Sequence, residues 1–438
     1  MSEMRMAIVG AVMVALGPLS LALYTPALPT LVDAYGSAPS QVKLTLTVYF
    51  AGFALAQLVC GPLSDAYGRK RISLSFFGIY LAGSLIAVFA SSIEWLLVAR
   101  AVQGVGAAAG VSISRAMVRD QFTGQASSRI LNLIGIMLGV APALAPTLGG
   151  VMLSVAGWHS LFVVMMIYGV LAIALVSWIP ETLARPDPAL ARPRRLVKSY
   201  GQLLKSPAFM RASLVIGFAL GGIYTLTSTL PFVMIDVVGL SPAAYGASMM
   251  LQTGFYIAGA MATQPLLRHY AASRLVPAGL CFVGAGAVLM AVLLNVFEPG
   301  VVTVMAPISI WAFGIGMILP GATTSAMASF PRIAGAASAL MGFFQIGGGL
   351  LGSLVASLVA DPIVALTTVI AAMPALAVVI HVALTPAKRR EDRLDPADYE
   401  LMPGSDPAGY IGPPAKRLMG AARAIEKEIE REVKDAAE

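Results

Sequence analysis

The stretch Gly61-Pro62-Leu63-Ser64-Asp65-Ala66-Tyr67-Gly68-Arg69-Lys70-Arg71 stands between two long apolar segments, at about 42–63 and 72–91. Its glycines permit a tight turn. Asp65 can accept hydrogen bonds from the N–H groups at a helix end or from an arginine. Three consecutive cations beside apolar segments of about 20 residues are typical of a short cytoplasmic loop between two membrane-spanning helices.

The composition extends this interpretation to the whole chain. Hydrophobic residues make up 58% of the 438 residues and charged residues 12%, whereas soluble domains have about 45–50% and about 25%. This excess has to face lipid, so we predict an all-α membrane protein with twelve transmembrane helices in two pseudo-symmetric halves of six. The predicted spans cover approximately 6–28, 42–63, 72–91, 95–116, 129–152, 159–180, 208–235, 244–266, 274–296, 301–323, 335–358 and 363–384.

The basic residues predict the orientation. With the N-terminus inside, the even-numbered connections are cytoplasmic, and the outer connections hold essentially Lys43. This is the positive-inside signature, which predicts a multi-pass cell membrane protein with cytoplasmic termini and explains the pI of about 9.4 without nucleic acid. The cytoplasmic set is Arg69, Lys70, Arg71, Arg119, Arg185, Arg192, Arg194, Arg195, Lys198, Lys205, Arg268, Arg274 and Arg332.

A basic, proline-rich segment at 181–206 divides the spans six and six. We therefore expect an N-terminal half at 1–180, a cytoplasmic linker at 181–206 and a C-terminal half at 207–385. The run Gln264–Tyr270 after span 8 echoes Gly61–Tyr67 after span 2, as two halves related by a parallel repeat would require. The polar segment 386–438 is predicted to be a cytoplasmic tail, partly disordered, with a terminal amphipathic helix.

Two spans carry motifs of their own. Span 4 contains Arg100, Gln103 and Gly104. An arginine inside a bilayer costs about 2.5–3.5 kcal/mol even on the insertion scale, so Arg100 should face a cavity and be paired. The alternative is a side chain that snorkels to the outer surface near Glu94. Span 5 contains kink-forming and small residues, which permit a bend and close helix contact and either serve the function of the protein or only shape the packing. These are Pro142, Pro146, Gly149 and Gly150.

These motifs resemble those of the major facilitator superfamily. Gly61–Arg71 is similar to the family's signature between spans 2 and 3, which latches the two halves on the cytoplasmic side and helps to control the conformational switch. The resemblance therefore implies a gating role for Gly61, Asp65, Gly68, Arg69, Lys70 and Arg71. The runs at 100–104 and 141–150 look like the family's span 4 signature and the span 5 signature of its antiporter branch.

The run Ser114–Asp120 and span 5 narrow the resemblance to the bicyclomycin and chloramphenicol resistance subgroup of drug:proton antiporters. Members of that subgroup commonly carry an aspartate two residues before the tyrosine of Tyr24–Pro29, and here that residue is Ala22. No other carboxylate before residue 386 is placed at mid-membrane. Either an end-located acid such as Asp33 or Asp236 couples transport to protons, or the carrier is uncoupled.

The substrate path should then be lined by uncharged polar and aromatic groups, because polar residues in apolar spans usually turn inward. We expect an amphipathic, neutral or weakly charged substrate, since a cation would lack a deep counter-charge. The candidates for the cavity wall are Tyr24, Gln57, Asn132, Tyr224, Gln252, Tyr256 and Gln345.

The leading hypothesis is an exporter of small amphipathic molecules, a drug or antibiotic efflux carrier, that works by alternating access as a monomer in the lipid bilayer. We expect no cofactor or metal, with the proton gradient as its energy source. A dedicated metabolite carrier or an uncoupled facilitator of the same fold is the alternative. A membrane-embedded enzyme is a remote third, because the chain has no metalloprotease or serine hydrolase motif and no paired aspartates within spans.

Overall fold

The computed structural model describes residues 2–385 apart from 123, 268, 329, 331 and 332, and the side chains of Asn132 and Pro142 also lie outside the described set. The predicted tail at 386–438 falls outside it as well. The described part of the chain forms twelve long helical spans. In chain order they are Glu3–Tyr35, Pro39–Tyr67, Arg69–Val88, Ile93–Gln121, Gly124–Ala156, His159–Trp178, Pro207–Val237, Pro242–Leu266, Ala272–Val296, Val301–Ala328, Ala334–Ser357 and Pro362–Ala383.

Helix is the form expected here, because lipid offers no partner for backbone N–H and C=O groups and a helix satisfies them internally. Ten of the described helices are long and apolar enough to cross a membrane. Spans 5 and 8, at Gly124–Ala156 and Pro242–Leu266, complete the set of twelve. The predicted fold class is confirmed, and several helices extend beyond the predicted apolar segments by a turn at either end.

Each half builds its own hydrophobic core. Buried side chains of spans 1–6 form one cluster, and those of spans 7–12 form a second. The halves meet along two helix pairs, span 2 with span 11 and span 5 with span 8. Glycines allow the second pair to approach backbone to backbone, because a Cβ on Gly150 or Gly246 would press on the carbonyl groups of Pro242 and Pro146. Such small-residue contacts are the usual basis of tight helix packing in membranes.

Two local predictions need correction. Gly61 is not in a turn: the helix of span 2 runs on through Tyr67, and the connection to span 3 is Gly68 alone, with φ of 101°. Lys43 is not in an outer connection but on span 2, where its side chain is 2% exposed. Its Nζ lies 5.3 Å from the ring centroid of Phe232, at the outer end of span 7.

The linker between the halves is partly helical. It contains a helix at Pro193–Leu204, which the proline at its first position helps to start. This helix is anchored to the protein by the buried side chain of Leu203 and by Tyr200, whose hydroxyl donates to the Leu58 carbonyl oxygen over 2.5 Å. Burial raises the pKa of Tyr200 to about 12, so this hydroxyl stays a donor at any physiological pH.

The glycine contact between the halves gives a first prediction. Gly246→Ala should lower the free energy of unfolding by about 1–3 kcal/mol, because its Cβ would have to displace the backbone of span 5. Gly254→Ala on the same helix is the matched control: no atom lies within 4 Å of its Cβ position, so the added methyl should be neutral or stabilising. Thermal unfolding of the purified variants checks this, and equal midpoints would contradict the packing role of Gly246.

Candidate functional site

A cavity of about 240 Å³ lies between the two halves. Its wall mixes uncharged polar and aromatic side chains with aliphatic ones, and among the described residues it contains no carboxylate. The N-terminal half contributes Pro18, Leu21, Ala22, Thr25, Phe53, Gln57, Val111, Arg115 and Pro146. The C-terminal half contributes Leu220, Ile223, Tyr224, Leu226, Thr227, Leu230, Tyr245, Met249, Gln252, Thr253, Tyr256, Ala312, Ile315, Leu319, Gln345 and Ile346.

The cavity is closed towards the outer end, the end opposite the linker. Its wall residues there, Thr25, Leu230 and Tyr245, are at most 2% exposed. Above them the outer part of span 1, Leu28–Tyr35, packs against the π-helical end of span 7 at Phe232–Val237. Nearer the linker end the exposure varies: Arg115, Leu319 and Gln345 are partly exposed, whereas Gln57 is 5% exposed. The cavity is therefore closed at its outer end in this conformation.

The predicted wall residues fall into three groups. Gln57, Tyr224, Gln252, Tyr256 and Gln345 all lie on the wall of this one cavity. The side chain of Asn132 lies outside the described set.

Tyr24 is not on the wall, and that prediction is wrong. It is fully buried within the N-terminal half, where its hydroxyl pairs with Thr45 Oγ1 at 2.8 Å and its ring faces Arg100. The sequence shows that Tyr24 is polar and deep, but not which side of span 1 it occupies.

Arg115 is a wall residue that the sequence prediction missed. It lies on span 4 and is partly exposed to the cavity. In the sequence it served only as part of the run Ser114–Asp120, on which the family resemblance rests. Span 4 continues for almost two turns beyond Arg115, to Gln121, so Arg115 lies deeper than the predicted end of this span at 116 suggests.

Arg100 occupies a different place, within the N-terminal half. Its side chain is fully buried, and its guanidinium carbon lies 4.5 Å and 4.3 Å from the ring centroids of Tyr24 and Tyr49. Its Nη1 donates to Gln103 Oε1 over 2.8 Å, and Gln103 Nε2 donates to Ser84 Oγ over 2.8 Å. Nε and Nη2 have no hydrogen-bond partner among the described residues.

This geometry excludes the snorkelling alternative for Arg100, because its side chain points into the core instead of towards Glu94. The positive charge is held by the electron-rich faces of two aromatic rings, an arrangement worth about 2 kcal/mol per ring when water is absent. Gly104 is part of the same structure, since a Cβ there would press on the backbone of Tyr49. Arg100 is paired, by an aromatic cage and the Gln103 amide, but the prediction that it faces a cavity is wrong, because it is fully buried and not on the cavity wall.

A charged cluster fastens spans 2, 3 and 4 together at the inner end. Arg69 pairs with Asp65 at 2.5 Å and with Asp120 at 2.9 Å, and its Nη1 donates to Ser64 Oγ over 2.7 Å. The Arg69 side chain is 8% exposed and the Asp65 side chain 30%. A planar guanidinium with three partners on two helices fixes their relative position. Arg71 is exposed and contributes to the basic inner surface.

Glu181 was not predicted as a site residue, yet it caps span 3. Its carboxylate accepts from the backbone N–H groups of Arg69 at 2.9 Å and Lys70 at 3.0 Å, which are orphan donors at a helix N-terminus. Lys70 Nζ in turn donates to the Ser177 carbonyl oxygen over 2.7 Å. Only a glycine fits at 68, because a Cβ there would lie 2.6 Å from Glu181 Oε2 and the backbone has positive φ.

Asp65 also faces the other half. A Cβ on Gly335, at the start of span 11, would lie 3.7 Å from Asp65 Oδ2. A carboxylate beside a helix N-terminus is favoured by the helix dipole. The cluster of Asp65, Arg69 and Asp120 therefore touches span 11 as well as spans 2 to 4, and gating by it stays a prediction.

Span 5 is a single helix at Gly124–Ala156. Pro146 lies on the cavity wall, and Gly149 and Gly150 give close backbone contacts to Leu23 of span 1 and Pro242 of span 8. The side chain of Pro142 lies outside the described set. These contacts give the small residues a packing role, and a directional role stays a prediction.

The two end-located acids lie at the outer mouth on opposite halves. Asp33 is exposed on span 1 and Asp236 is exposed on span 7, close enough for their charges to interact. Neither is on the cavity wall. Asp361 lies at the same end of the protein, where its carboxylate caps the start of span 12 by accepting from the Ile363 N–H over 2.7 Å.

We predict that Asp65→Asn lowers both stability and turnover. The free energy of unfolding should fall by about 1 kcal/mol, less than for a fully buried pair, because Asp65 is partly exposed. Turnover in proteoliposomes should fall severalfold, because the contact with span 11 loses its charge. Glu3→Gln is the control, since its pair with Arg129 lies on an exposed surface. Unchanged turnover in Asp65→Asn contradicts a gating role.

The aromatic cage predicts that the ring of Tyr49 matters more than its hydroxyl. Tyr49→Phe keeps the ring on Arg100 and loses only the 3.0 Å hydrogen bond to the Gly17 carbonyl oxygen, for about 1 kcal/mol. Tyr49→Leu loses the ring too and should cost about 2 kcal/mol more. Equilibrium unfolding of both variants measures the difference. Equal losses would mean that the ring does not stabilise the buried charge.

The model of the Major Facilitator Superfamily matches residues 10–356. The chain is 34% identical over 356 residues to the uncharacterized MFS-type transporter YdgK of Bacillus subtilis (strain 168), covering 78% of this chain and 85% of that protein. It is 31% identical over 355 residues to multidrug resistance protein D of Escherichia coli (strain K12), covering 79% and 87%. It is 28% identical over 345 residues to the chloramphenicol resistance protein of Pseudomonas aeruginosa, covering 77% and 80%.

Solved structures share the fold. A D-xylose-proton symporter matches with a TM-score of 0.69 at 13% identity, over 87% of this chain and 98% of that chain. The human organic anion transporter MFSD10 (TETRAN) matches with a TM-score of 0.66 at 16% identity, over 88% and 100%. At such identities the likeness concerns the fold alone. The family model, the relatives and the twelve helices in two halves agree: this chain belongs to the major facilitator superfamily, with relatives consistent with its drug:proton antiporter branch.

Proposed function

We propose that this protein exports small amphipathic molecules by alternating access between its two six-span halves. The observation that supports this best is the cavity between the halves, which both halves wall and which the outer ends of spans 1 and 7 close. Export is favoured over import by the named relatives, among them a multidrug resistance protein and a chloramphenicol resistance protein. The transporter family and fold give no support to the alternative of a membrane-embedded enzyme.

The wall suits an amphipathic molecule. Aliphatic residues such as Leu220, Ile223 and Ile315 can cover an apolar body, while Gln57, Gln345 and other amide or hydroxyl groups can satisfy its polar atoms. Because the wall is shared, a bound molecule contacts both halves, and its binding free energy changes when they rock. A ligand can shift a conformational equilibrium only through such a difference in affinity.

The change of access has identifiable parts. Opening the outer side must separate span 1 from span 7 and remove Lys43 from the ring of Phe232. Closing the inner side must bring the inner ends of the halves together beside the cluster of Asp65, Arg69 and Asp120. The backbone contacts of spans 5 and 8 can act as the pivot, because they are too tight to slide freely.

We propose the proton gradient as the energy source, with Asp33 and Asp236 as the groups that exchange protons. Each lies at the outer end of a helix whose packing against the opposite half must break when the outer side opens, so their charge state and the conformation are linked. The second candidate is uncoupled facilitation. It is favoured by one observation, that Ala22 lies on the cavity wall where the related subgroup commonly has an aspartate.

A pH gradient separates these candidates. Radiolabelled chloramphenicol serves as a neutral amphipathic probe in proteoliposomes with an acidic lumen and in matched vesicles without a gradient. We expect accumulation above the outside concentration only with the gradient, and protein-free liposomes are the control. Equal uptake in both kinds of vesicle overturns proton exchange and leaves the uncoupled candidate.

Two variants then identify the groups that couple transport to protons. Asp33→Asn combined with Asp236→Asn should abolish gradient-driven accumulation and keep downhill flux, because only the exchangeable groups are lost. Ala22→Asp restores the common carboxylate to the wall and should strengthen the response to the gradient. If the double variant accumulates probe as the wild type does, other groups carry the protons.

A further inference from the structure

We propose that Arg115 is the substrate anchor of the cavity and that the preferred substrates are amphipathic anions, such as a carboxylate, sulfonate or phosphate on an apolar body. This inference rests on the proposed transport function and names its substrate class. Arg115 is the one charged side chain among the described residues of the wall.

The first argument is the lack of a partner. Other arginines at the inner end have carboxylate partners. Arg69 pairs with Asp65 and Asp120 in the charged cluster, and Arg129 pairs with Glu3 on the surface at 3.0 Å. Within the described part of the chain Arg115 makes no hydrogen bond and no ion pair. The titratable groups that act on it are Arg119, Tyr256 and Tyr224, of which one is another cation and two are neutral phenols.

The second argument is energetic. A guanidinium at span depth is costly unless water or an anion reaches it, and Arg115 is partly exposed on the cavity wall. Arg100 shows the other solution, because two aromatic rings and Gln103 enclose it. Arg115 has no such cage, so its compensating charge has to come from what enters the cavity. An arginine is well suited to this, since its planar fork matches the two oxygens of a carboxylate.

The third argument is the opposite wall. Arg115 belongs to the N-terminal half, whereas Tyr224, Gln252 and Tyr256 belong to the C-terminal half and carry hydrogen-bond donors. An anion held by Arg115 within reach of these donors would contact both halves at once. No carboxylate lies on the described wall to attract a cation. The aliphatic side chains of Leu220, Ile223 and Ile315 remain free to cover the apolar body.

The test uses three dansyl probes with one aromatic body and different end groups: dansylglycine, an anion; dansylglycinamide, neutral; and N-dansylethylenediamine, a cation. Binding to the full-length protein in lipid nanodiscs is followed by energy transfer from tryptophan. The wild type should bind dansylglycine about tenfold more tightly than the amide, the size expected for a hydrogen-bonded charge pair. The cation should bind most weakly.

The variants assign this preference to one side chain. Arg115→Gln should remove the preference for the anion and leave binding of the amide within about twofold, which shows that the cavity is intact. Arg115→Lys should keep part of the preference, because it restores the charge without the fork. Arg115→Glu should turn the preference towards the cation. Arg119→Gln, one turn further on the exposed inner end, is the matched control and should bind as the wild type does.

Three results would overturn the proposal in distinguishable ways. Equal saturable binding of all three probes by the wild type rejects the anionic class and leaves export of amphipathic molecules standing. A preference for the anion that persists in Arg115→Gln rejects Arg115 as its anchor. If the wild type binds none of the probes saturably, the cavity is not a binding site for amphipathic molecules and the proposed function fails with it.

Discussion

A charge placed inside a membrane protein needs a compensating partner, and span 4 poses this problem twice. Arg100 and Arg115 lie on the same helix, and neither has a carboxylate beside it among the described residues. Arg100 is compensated internally, by the rings of Tyr24 and Tyr49 and by the amide of Gln103. Arg115 is left to the cavity. One helix thus supplies both the buried centre of the N-terminal half and the charge that its substrate meets.

The groups that compensate Arg100 also hold the helices of the N-terminal half together. The aromatic cage joins spans 1, 2 and 4, and the cluster of Asp65, Arg69 and Asp120 joins spans 2, 3 and 4. In the C-terminal half the buried polar contacts are of another kind, such as the 3.1 Å hydrogen bond from Trp311 Nε1 to the Ala219 carbonyl oxygen. Two internally fastened halves that meet through helix contacts and a shared cavity can move against each other as rigid bodies.

The sequence predicts the architecture well because length, hydropathy and the position of cations are local properties. It predicts poorly where the answer depends on which neighbour a helix face meets. Tyr24 and Gln57 are both deep polar residues, yet Tyr24 turns to Arg100 and Gln57 to the cavity. Lys43 looks like a loop cation and lies instead at the interface of the halves.

The charged groups illustrate the same limit. Glu181 gives no sign in sequence that it caps span 3, because its partners precede it by more than a hundred residues. Arg115 is absent from the predicted wall, and the structure places it there. Both errors come from contacts that only the packing of distant helices creates. The missing acid at Ala22 is the opposite case, since a resemblance located it and the structure places that residue on the cavity wall.

The two features of the cavity, a free arginine and no acid, are consistent with each other energetically. Across a membrane that is negative inside, each elementary charge is worth about 2.3 kcal/mol per 100 mV. A neutral molecule gains nothing from that potential, so its export against a gradient needs another source of energy, such as a proton gradient coupled through an acid in the cavity. An anion that leaves is driven outward by the potential itself. Exchange for one proton would move a second charge in the favoured direction and double the electrical driving force.

A carrier of anions therefore depends less on an acid beside its substrate than a carrier of neutral or cationic compounds does. Proton exchange at the outer mouth through Asp33 and Asp236 would add to an electrical driving force that already exists.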